Sequence, residues 1–564
     1  MQFLWRSIAL RAVFILAVLL NVASESGASD LKPARSAIAS AHPLATQAGL
    51  DVLAAGGNAF DAAVAVSAML SVVEPASSGV GGGGFYLLHV AATGRDVMLD
   101  GRETAPRAAA RDMYLDADGK PIAAASKDGP LSAGIPGTPA AWAWLAARYG
   151  RLPLTQSMAP AIRISRDGFL LYERLANAIR VKQARLAASP AAASIFLLKG
   201  QVPPIGFKVR QPALARTLAL IAASRAEDFY RGATAHRMVD QIRHDGGIWT
   251  AADLSAYHII EREPIRFQYR GARVVTAPPP SAGGLVMADT LGILAGYDLS
   301  HADATMRRHL LIEALRHGYR DRAEYLGDPD FVQIPTEQLL SPWYAAGQRT
   351  SIRVDRATPS ADLRSAATGV ESTSTTHFSI LDRDGNQVAA TQSVNLFFGA
   401  TYMIPETGVL LNDTMDDFSV AVGAPDAYGL VGAAANAIAP GKRPLSSMTP
   451  TFVETSSGLL ITGSPGGSTI ITNVLGGMLG WLDGQSAEQI VAAPRLHHQY
   501  LPDTVMYEAG ALTASERAAL ESLGHVLVES KYRWGNTQAI TWNFTTGAIE
   551  AASDPRGVGV GLVY

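Results

Sequence analysis

The chain, 564 residues long, contains no cysteine. Disulfides, thiolate metal sites, redox pairs and a cysteine nucleophile are therefore excluded together. Charge of one sign is lacking as well. A formal net charge of −3 gives no reason to expect nucleic acid or an anionic membrane surface as a partner. Long apolar runs are also missing. The best of them, residues 12–20, falls far short of the ~20 apolar residues a spanning helix needs, so no stable membrane anchor is expected. Neither an internal repeat nor a Pro/Ser-rich or charged linker interrupts the rest. Length alone would suggest several domains. Without linkers, one large interwoven domain is the better expectation, and 48% apolar residues can fill its core.

What is present begins with an export pattern. Arg6 and Arg11 precede the apolar run, and Ser26-Gly27-Ala28 offers small residues for cleavage after Ala28. This is the pattern of a secretory signal peptide over residues 1–28, and it implies a periplasmic or secreted protein. Residues 44–55 read as a helix stopped by Gly56-Gly57, and Asn58 caps a second, very apolar helix over 60–72. Gly81-Gly82-Gly83-Gly84 follows. No Lys-Ser/Thr comes after it, and a strand (85–89) comes next rather than a helix, so a phosphate cradle is set aside. Four glycines instead permit close backbone approach. The loop 278–284, the helix over 140–148 and an amphipathic helix over 305–325 read as scaffold. In the last, Leu311, Ala314, Leu315 and Tyr319 share a face, with Arg and Glu opposite. Adjacent His497 and His498 rarely face one way on a regular element, so they read as structural rather than as metal ligands.

The stretch Thr375-Thr376-His377-Phe378-Ser379-Ile380-Leu381 reads as a strand. Asp382 to Asn386 then turns the chain into a second strand over 387–394, and Asp-Gly is a short-range hairpin signal. The preceding segment, 354–374, is small, polar and without period, and reads as a mobile loop. Cutting between Ser374 and Thr375 would leave a threonine whose free α-amine, with a pKa of roughly 8, could act as base for its own hydroxyl. A plain edge strand would explain the same residues.

Further motifs follow in order: Asn395, then Leu411-Asn412-Asp413-Thr414-Met415-Asp416-Asp417-Phe418, then Pro444-Leu445-Ser446-Ser447-Met448, then Ser464-Pro465-Gly466-Gly467-Ser468. The series resembles the γ-glutamyltranspeptidase family, or glutathione hydrolases, from about residue 41 to the C-terminus. The resemblance implies the four-layer αββα sandwich (α/β, α+β class) of the N-terminal nucleophile hydrolases. It implies a proenzyme cut at Ser374-Thr375 into fragments 29–374 and 375–564 that stay together as a heterodimer, and it calls for no cofactor and no metal.

The resemblance also implies roles. Thr375 would be nucleophile and base, and the N–H groups of Gly466 and Gly467 the oxyanion hole; such donors are worth roughly 3–4 kcal/mol each. Arg102, Ser446 and Ser447 would hold the α-carboxylate of a glutamyl group, for which a guanidinium fork is well shaped. Asp417 and Asn395 would hold its α-ammonium. Ser393 stands where the family usually has a second Thr, and keeps the hydroxyl. Thr414 stands where the family usually has Gln or Glu, and is expected to weaken the grip on the ammonium. Residues 420–440, with Tyr428, resemble a lid.

The implied substrates are glutathione, its conjugates and γ-glutamyl amides, with water, amino acids or peptides as acceptors. Two alternatives stay open: an acylase of glutaryl-type side chains on the same fold, and an exported binding protein without catalysis.

Overall fold

Alternation along the strands decides the layering. In the strand Gly83–Val90, Phe85 and Leu87 enter the apolar cluster shared with a second sheet, while Tyr86 and Leu88 enter the cluster beneath a pair of helices. A strand buried on both faces must be apolar on both, as this one is. The computed structural model describes residues 31–363, 374–421, 426–427, 430 and 432–564. The export pattern of residues 1–28 lies outside them.

The first sheet has seven strands, in the order Val560–Val563, Ala37–Ser40, Thr376–Leu381, Gln387–Ser393, Gly83–Val90, Arg95–Gly101 and Ile260–Arg262. All its pairings are antiparallel. The second has six, also antiparallel: Ile549–Ser553, Gln538–Asn543, Gly458–Gly463, Thr451–Thr455, Ala272–Thr276 and Ile265–Tyr269. The helices Pro43–Ala54 and Ala59–Val73 cover the first sheet, and Gly283–Leu294 and Ile470–Leu482 the second. The order is helix, sheet, sheet, helix. Strands from before and after residue 374 are interleaved, since Ala37–Ser40 lies between Val560–Val563 and Thr376–Leu381.

The expected helices and hairpin are present. Asn58 caps Ala59–Val73 by accepting from the N–H groups of Phe60 and Asp61, and Asp61 returns the bond, a capping box. Every residue of this helix is buried. In the hairpin turn, Asp382 accepts from the N–H groups of Asp384 and Asn386 at 2.9 Å each, and its other oxygen accepts from Ala59 N–H at 2.9 Å. One carboxylate thus seats the hairpin on the helix N-terminus.

Two expectations change. The helix Ala304–Tyr325 is not polar on its second face in the usual exposed sense, because Glu313, Arg316, Asp321 and Arg322 are buried too. It is enclosed by Gly283–Leu294 on one side and the Ala514–Ser522 helix on another, and Arg316 pairs with Glu313 and Asp503. The loop 354–374 is also anchored in part. Ser360–Leu363 forms a short 3-10 turn, and buried Ser360 donates its N–H to Asp503 at 2.7 Å and its hydroxyl to Tyr500 O at 2.7 Å. Residues 364–373 lie outside the described residues.

The four-glycine loop runs against backbone, as its sequence suggests. A Cβ on Gly81 would lie 2.1 Å from Leu410 O, one on Gly82 2.1 Å from Ser393 O, and one on Gly84 2.5 Å from Thr391 O. Neither backbone can retreat without breaking sheet bonds. Gly82→Ala is therefore expected to destabilise the fold by about 1–3 kcal/mol or more, read as an earlier thermal unfolding transition. A melting curve equal to that of the unaltered protein would contradict this close approach.

Candidate active site

Thr375 sits one residue ahead of the strand Thr376–Leu381, which is buried on both faces. Its neighbours fix it. Ser374 Oγ donates to Ala76 O at 2.6 Å, and Thr376 Oγ1 donates to Glu74 Oε2 at 2.8 Å. Burial raises the Glu74 carboxyl above its ordinary range, against the opposing pull of Arg174 and of the Thr376 hydroxyl. Between these anchors the Thr375 hydroxyl rests against the Ser374 carbonyl oxygen and lies 3.1 Å from Ser393 Oγ. Ser393 Oγ in turn accepts from Asn395 N–H at 2.8 Å. Asn395 holds a φ of +77°, a left-handed conformation that Asn tolerates better than most residues. His377, beneath the strand, is not poised as a base. Its ring bonds Thr391 and Ser379, and burial pushes its pKa down to about 3.

The other end of the site is a knot of charge. Arg102 is 1% exposed. Its Nε donates to Pro444 O at 3.2 Å, Nη1 to Glu103 at 3.3 Å, and Nη2 to Leu445 O at 3.4 Å and to Asp417 Oδ2. Arg102 and Asp417, expected to hold opposite charges of a ligand, thus hold each other. Burial pushes the Asp417 carboxyl up to about 6 although Arg102 opposes the shift. Glu103 is pushed up to about 7 by burial, again against Arg102. The adjacent Asp416 faces away. It accepts from Ser126 Oγ at 2.5 Å and from Ala427 N–H at 2.9 Å.

Backbone fixes the remaining parts. Ser446 N–H donates to Pro280 O and Ser446 O accepts from Ala282 N–H, both at 2.8 Å. The proline-rich loop, read as scaffold, therefore positions Ser446 and Ser447. Gly466 and Gly467 have φ of +139° and +56°, values that favour glycine, and they open the short turn into the helix Ile470–Leu482.

A recess of about 340 Å³ brings Thr375, Ser393, Asn395 and Gly467 together with Arg102, Asp417, Ser446 and Ser447. Gly466 adjoins the recess without lining it. Tyr428 lies outside the described residues.

Thr414 is placed differently from the expectation. It lies in a 3-10 turn, Thr414–Asp417, and its hydroxyl donates to Asn412 Oδ1 rather than entering the recess. Asn412 explains why. Its amide donates to Gly81 O at 2.7 Å and Gly134 O at 2.8 Å, while its oxygen accepts from Gly134 N–H and Thr414 N–H. Thr414 completes that internal junction.

Sequence reasoning also missed two charged residues of the recess, Arg322 and Asp426. Asp426 is pushed up to about 8 by burial and by Asp417 and Asp416. Nothing in the pattern of the helix 305–325 separates Arg322 from its other arginines.

Elsewhere among the described residues, one buried group of three could hold a metal: ring nitrogens of His309 and His525 and a carboxylate oxygen of Glu313 lie within 4.8 Å of one another. The rings bond each other at 2.8 Å, His309 also bonds Arg353 O at 2.7 Å, and Glu313 pairs with Arg316. These partners account for most of the polar atoms without an ion. His497 bonds Thr472 and Gln499, and His498 faces Asp503.

Residues 45–564 match the family model described as Gamma-glutamyltranspeptidase. The chain is 43% identical to a glutathione hydrolase proenzyme of Pseudomonas sp. (strain A14), over 92% of this chain and 90% of that one. It is 40% identical to the glutathione hydrolase proenzyme of Escherichia coli K12, over 92% and 90%. Among solved structures, the cephalosporin acylase from Bacillus halodurans superposes with a TM-score of 0.82 and 31% identity, covering 94% of this chain and 96% of that one.

The Thr414 geometry has a direct consequence. Thr414→Val keeps the shape and removes only the bond to Asn412, so it should cost about 0.5–1.5 kcal/mol of stability and leave ligand affinity at the recess unchanged. Calorimetric melting and a binding titration on the same variant check both halves.

Proposed function

The chain belongs to the gamma-glutamyltranspeptidase family, and from that premise we propose that it is a self-processing enzyme that breaks γ-glutamyl bonds of glutathione, its conjugates and γ-glutamyl amides. The observation that carries this is one recess holding the Thr375 hydroxyl, the Gly467 turn and the Arg102–Asp417 pair.

Processing comes first. The Thr375 hydroxyl oxygen, already against the Ser374 carbonyl, adds to the Ser374 carbonyl carbon. The Thr375 nitrogen leaves with the proton, giving an ester on Oγ1. Water hydrolyses the ester, freeing the Ser374 carboxylate and the Thr375 α-amine. Residues 29–374 and 375–564 remain one body, because strands of each are hydrogen-bonded to strands of the other within the first sheet.

In turnover, the amine takes the hydroxyl proton as Oγ1 attacks the γ-carbonyl. The backbone N–H groups at Gly466 and Gly467 face the developing oxyanion. The leaving amine takes the proton, and water or an amino acid or peptide then accepts the glutamyl group from the Thr375 ester. Ser393 orients the hydroxyl. Asp417 and Asn395 receive the α-ammonium.

Export with removal of residues 1–28 remains part of this reading, on the N-terminal pattern. Among the described residues no helix is long and apolar enough to cross a membrane. A second reading, acylase action on glutaryl-type side chains, is favoured by the similarity to the Bacillus halodurans cephalosporin acylase.

Active protein should run as two fragments without a covalent bridge, and Thr375→Ala as one chain. N-terminal sequencing that finds no fragment beginning Thr-Thr-His removes the proposed nucleophile.

Loss of a charge-assisted contact worth about 2–4 kcal/mol makes Asp417→Ala about 30- to 1000-fold slower on a γ-glutamyl anilide, with self-cleavage intact. Because burial holds the Asp417 carboxyl near pH 6, the group is neutral below that pH and charged above it. The wild-type kcat/KM, which reports free-enzyme groups, should fall as the pH drops through about 6, and Asp417→Asn should lack that limb. Equal activity in Asp417→Ala and wild type takes Asp417 out of the site.

A further inference from the structure

We propose that Asn473 and Thr469 are positioning residues for the reaction at Thr375: from outside the recess they hold the Pro465-Gly466-Gly467 turn so that its N–H groups face the developing oxyanion. The inference deepens the proposed function and rests on it. It starts from peptide geometry. In a trans peptide the C=O of one residue and the N–H of the next point in opposite directions within one plane. Whatever grips the Pro465 oxygen therefore aims the Gly466 N–H, and whatever grips the Gly466 oxygen aims the Gly467 N–H. Neither N–H donates to a backbone carbonyl among the described residues.

Both oxygens are gripped by side chains. Gly466 O accepts from the Thr469 hydroxyl at 2.8 Å and from Thr469 N–H at 3.1 Å. Pro465 O accepts from Ser464 Oγ at 2.8 Å and from Asn473 Nδ2 at 3.3 Å. Asn473 Nδ2 also donates to Ser464 Oγ at 3.1 Å, which directs the Ser464 proton to Pro465 O. The approach is close: a Cβ on Gly466 would lie 2.4 Å from Thr469 Oγ1 and 3.3 Å from Asn473 Nδ2. Ser464, Thr469 and Asn473 are buried, and none of them lines the recess. They act on the reaction only through the turn.

The orientation of the Asn473 amide is itself determined. The Trp534 indole N–H can only donate, and it lies 3.1 Å from Asn473 Oδ1. With the oxygen committed there, the amide nitrogen must face Ser464 and Pro465. Trp534 is fixed at its backbone, where its N–H donates to Glu508 Oε1 at 2.8 Å and its carbonyl accepts from Arg495. Arg495 pairs in turn with Asp554. Buried polar groups joined in this way, each with its partner, form a rigid support. Rigidity matters behind an oxyanion site, because donors aimed before the reaction need no reorganisation during it.

The test uses the cut, two-fragment protein and a γ-glutamyl p-nitroanilide, with Thr469→Val, Thr469→Ser, Asn473→Asp and Trp534→Phe. Thr469→Val keeps the shape and removes the hydroxyl from Gly466 O. Asn473→Asp keeps the acceptor for Trp534 and draws the Ser464 proton away from Pro465 O. Each should lower kcat by about 10- to 100-fold. Thr469→Ser, which restores the hydroxyl, should recover turnover, and Trp534→Phe should lose less than Asn473→Asp. Two further readouts separate positioning from general damage. The inhibition constant of glutamate, which fills the head-group end, should not move. The affinity of a glutamate analogue with a boronic acid in place of the γ-carboxyl should fall in step with kcat/KM. Boron there takes the Thr375 hydroxyl oxygen, whose proton goes to the α-amine, and becomes a tetrahedral anion like the intermediate. Unchanged kcat in either Thr469→Val or Asn473→Asp overturns the inference for that residue. So does a glutamate inhibition constant that rises as kcat falls, a boronate affinity equal to that of wild type, or a variant that stays one chain. A wild type that uses a glutaryl but not a γ-glutamyl anilide overturns the γ-glutamyl reading, and the same variants measured on the glutaryl anilide then decide this one. A wild type that turns over neither overturns both.

Discussion

A single buried ion pair, Arg102 with Asp417, holds the site together. Arg102 leaves the end of the strand Arg95–Gly101, Asp417 closes a 3-10 turn, and the same guanidinium takes the carbonyls of Pro444 and Leu445. Three segments distant in sequence therefore converge on one side chain. The pair is weak evidence for net stability, because desolvation offsets much of the attraction. Breaking it would leave a bare carboxylate among Asp416, Glu103 and Asp426. Its consequence is positional: Leu445 is followed directly by Ser446 and Ser447, and Asp416 beside Asp417 holds Ala427.

The nucleophile depends on a second constraint, the distance between backbones. Gly82 lies so close to Ser393 that only hydrogen fits at its α-carbon, and Ser393 carries the hydroxyl that faces Thr375. Asn395 with positive φ and the Gly466-Gly467 pair sit around the same recess. Backbone in sparsely populated conformations persists where surrounding structure over-determines it. At Asn395 that structure is Ser393 Oγ, which accepts its N–H, and Asp413 O, which accepts its side-chain amide. Close backbone approach at Gly82 and the positive-φ Asn395 together fix the Ser393 hydroxyl against Thr375.

Much of this was legible in the sequence because it was carried by ordered motifs. The strand after Thr375, the Asp-Gly hairpin, the capped helix Ala59–Val73 and the grouping of Arg102, Asn395, Asp417, Ser446, Ser447 and Gly467 all follow from local pattern or from the family resemblance. The failures share a cause. Thr414 was assigned by its place in the motif, yet its hydroxyl is taken by Asn412 two residues before it, while Asp417 at the end of the same 3-10 turn reaches Arg102. Arg322 sits among four other arginines of Ala304–Tyr325, and helical periodicity cannot say which polar positions a second layer will cover. Ser360 looked like loop because its burial comes from Asp503 and Tyr500, more than a hundred residues away.

The ion pair also changes how the two candidate substrates are told apart. A buried carboxylate without a cation is costly, and an isolated Asp417 would on that ground disfavour a glutaryl group, which brings no ammonium. Arg102 removes that cost, because it neutralises Asp417 whether or not a ligand brings an ammonium. A glutaryl group therefore forfeits only what an ammonium adds to an existing pair, not the full penalty of an isolated charge. An incoming ammonium, in turn, shares Asp417 with Arg102 rather than replacing it, which caps its contribution.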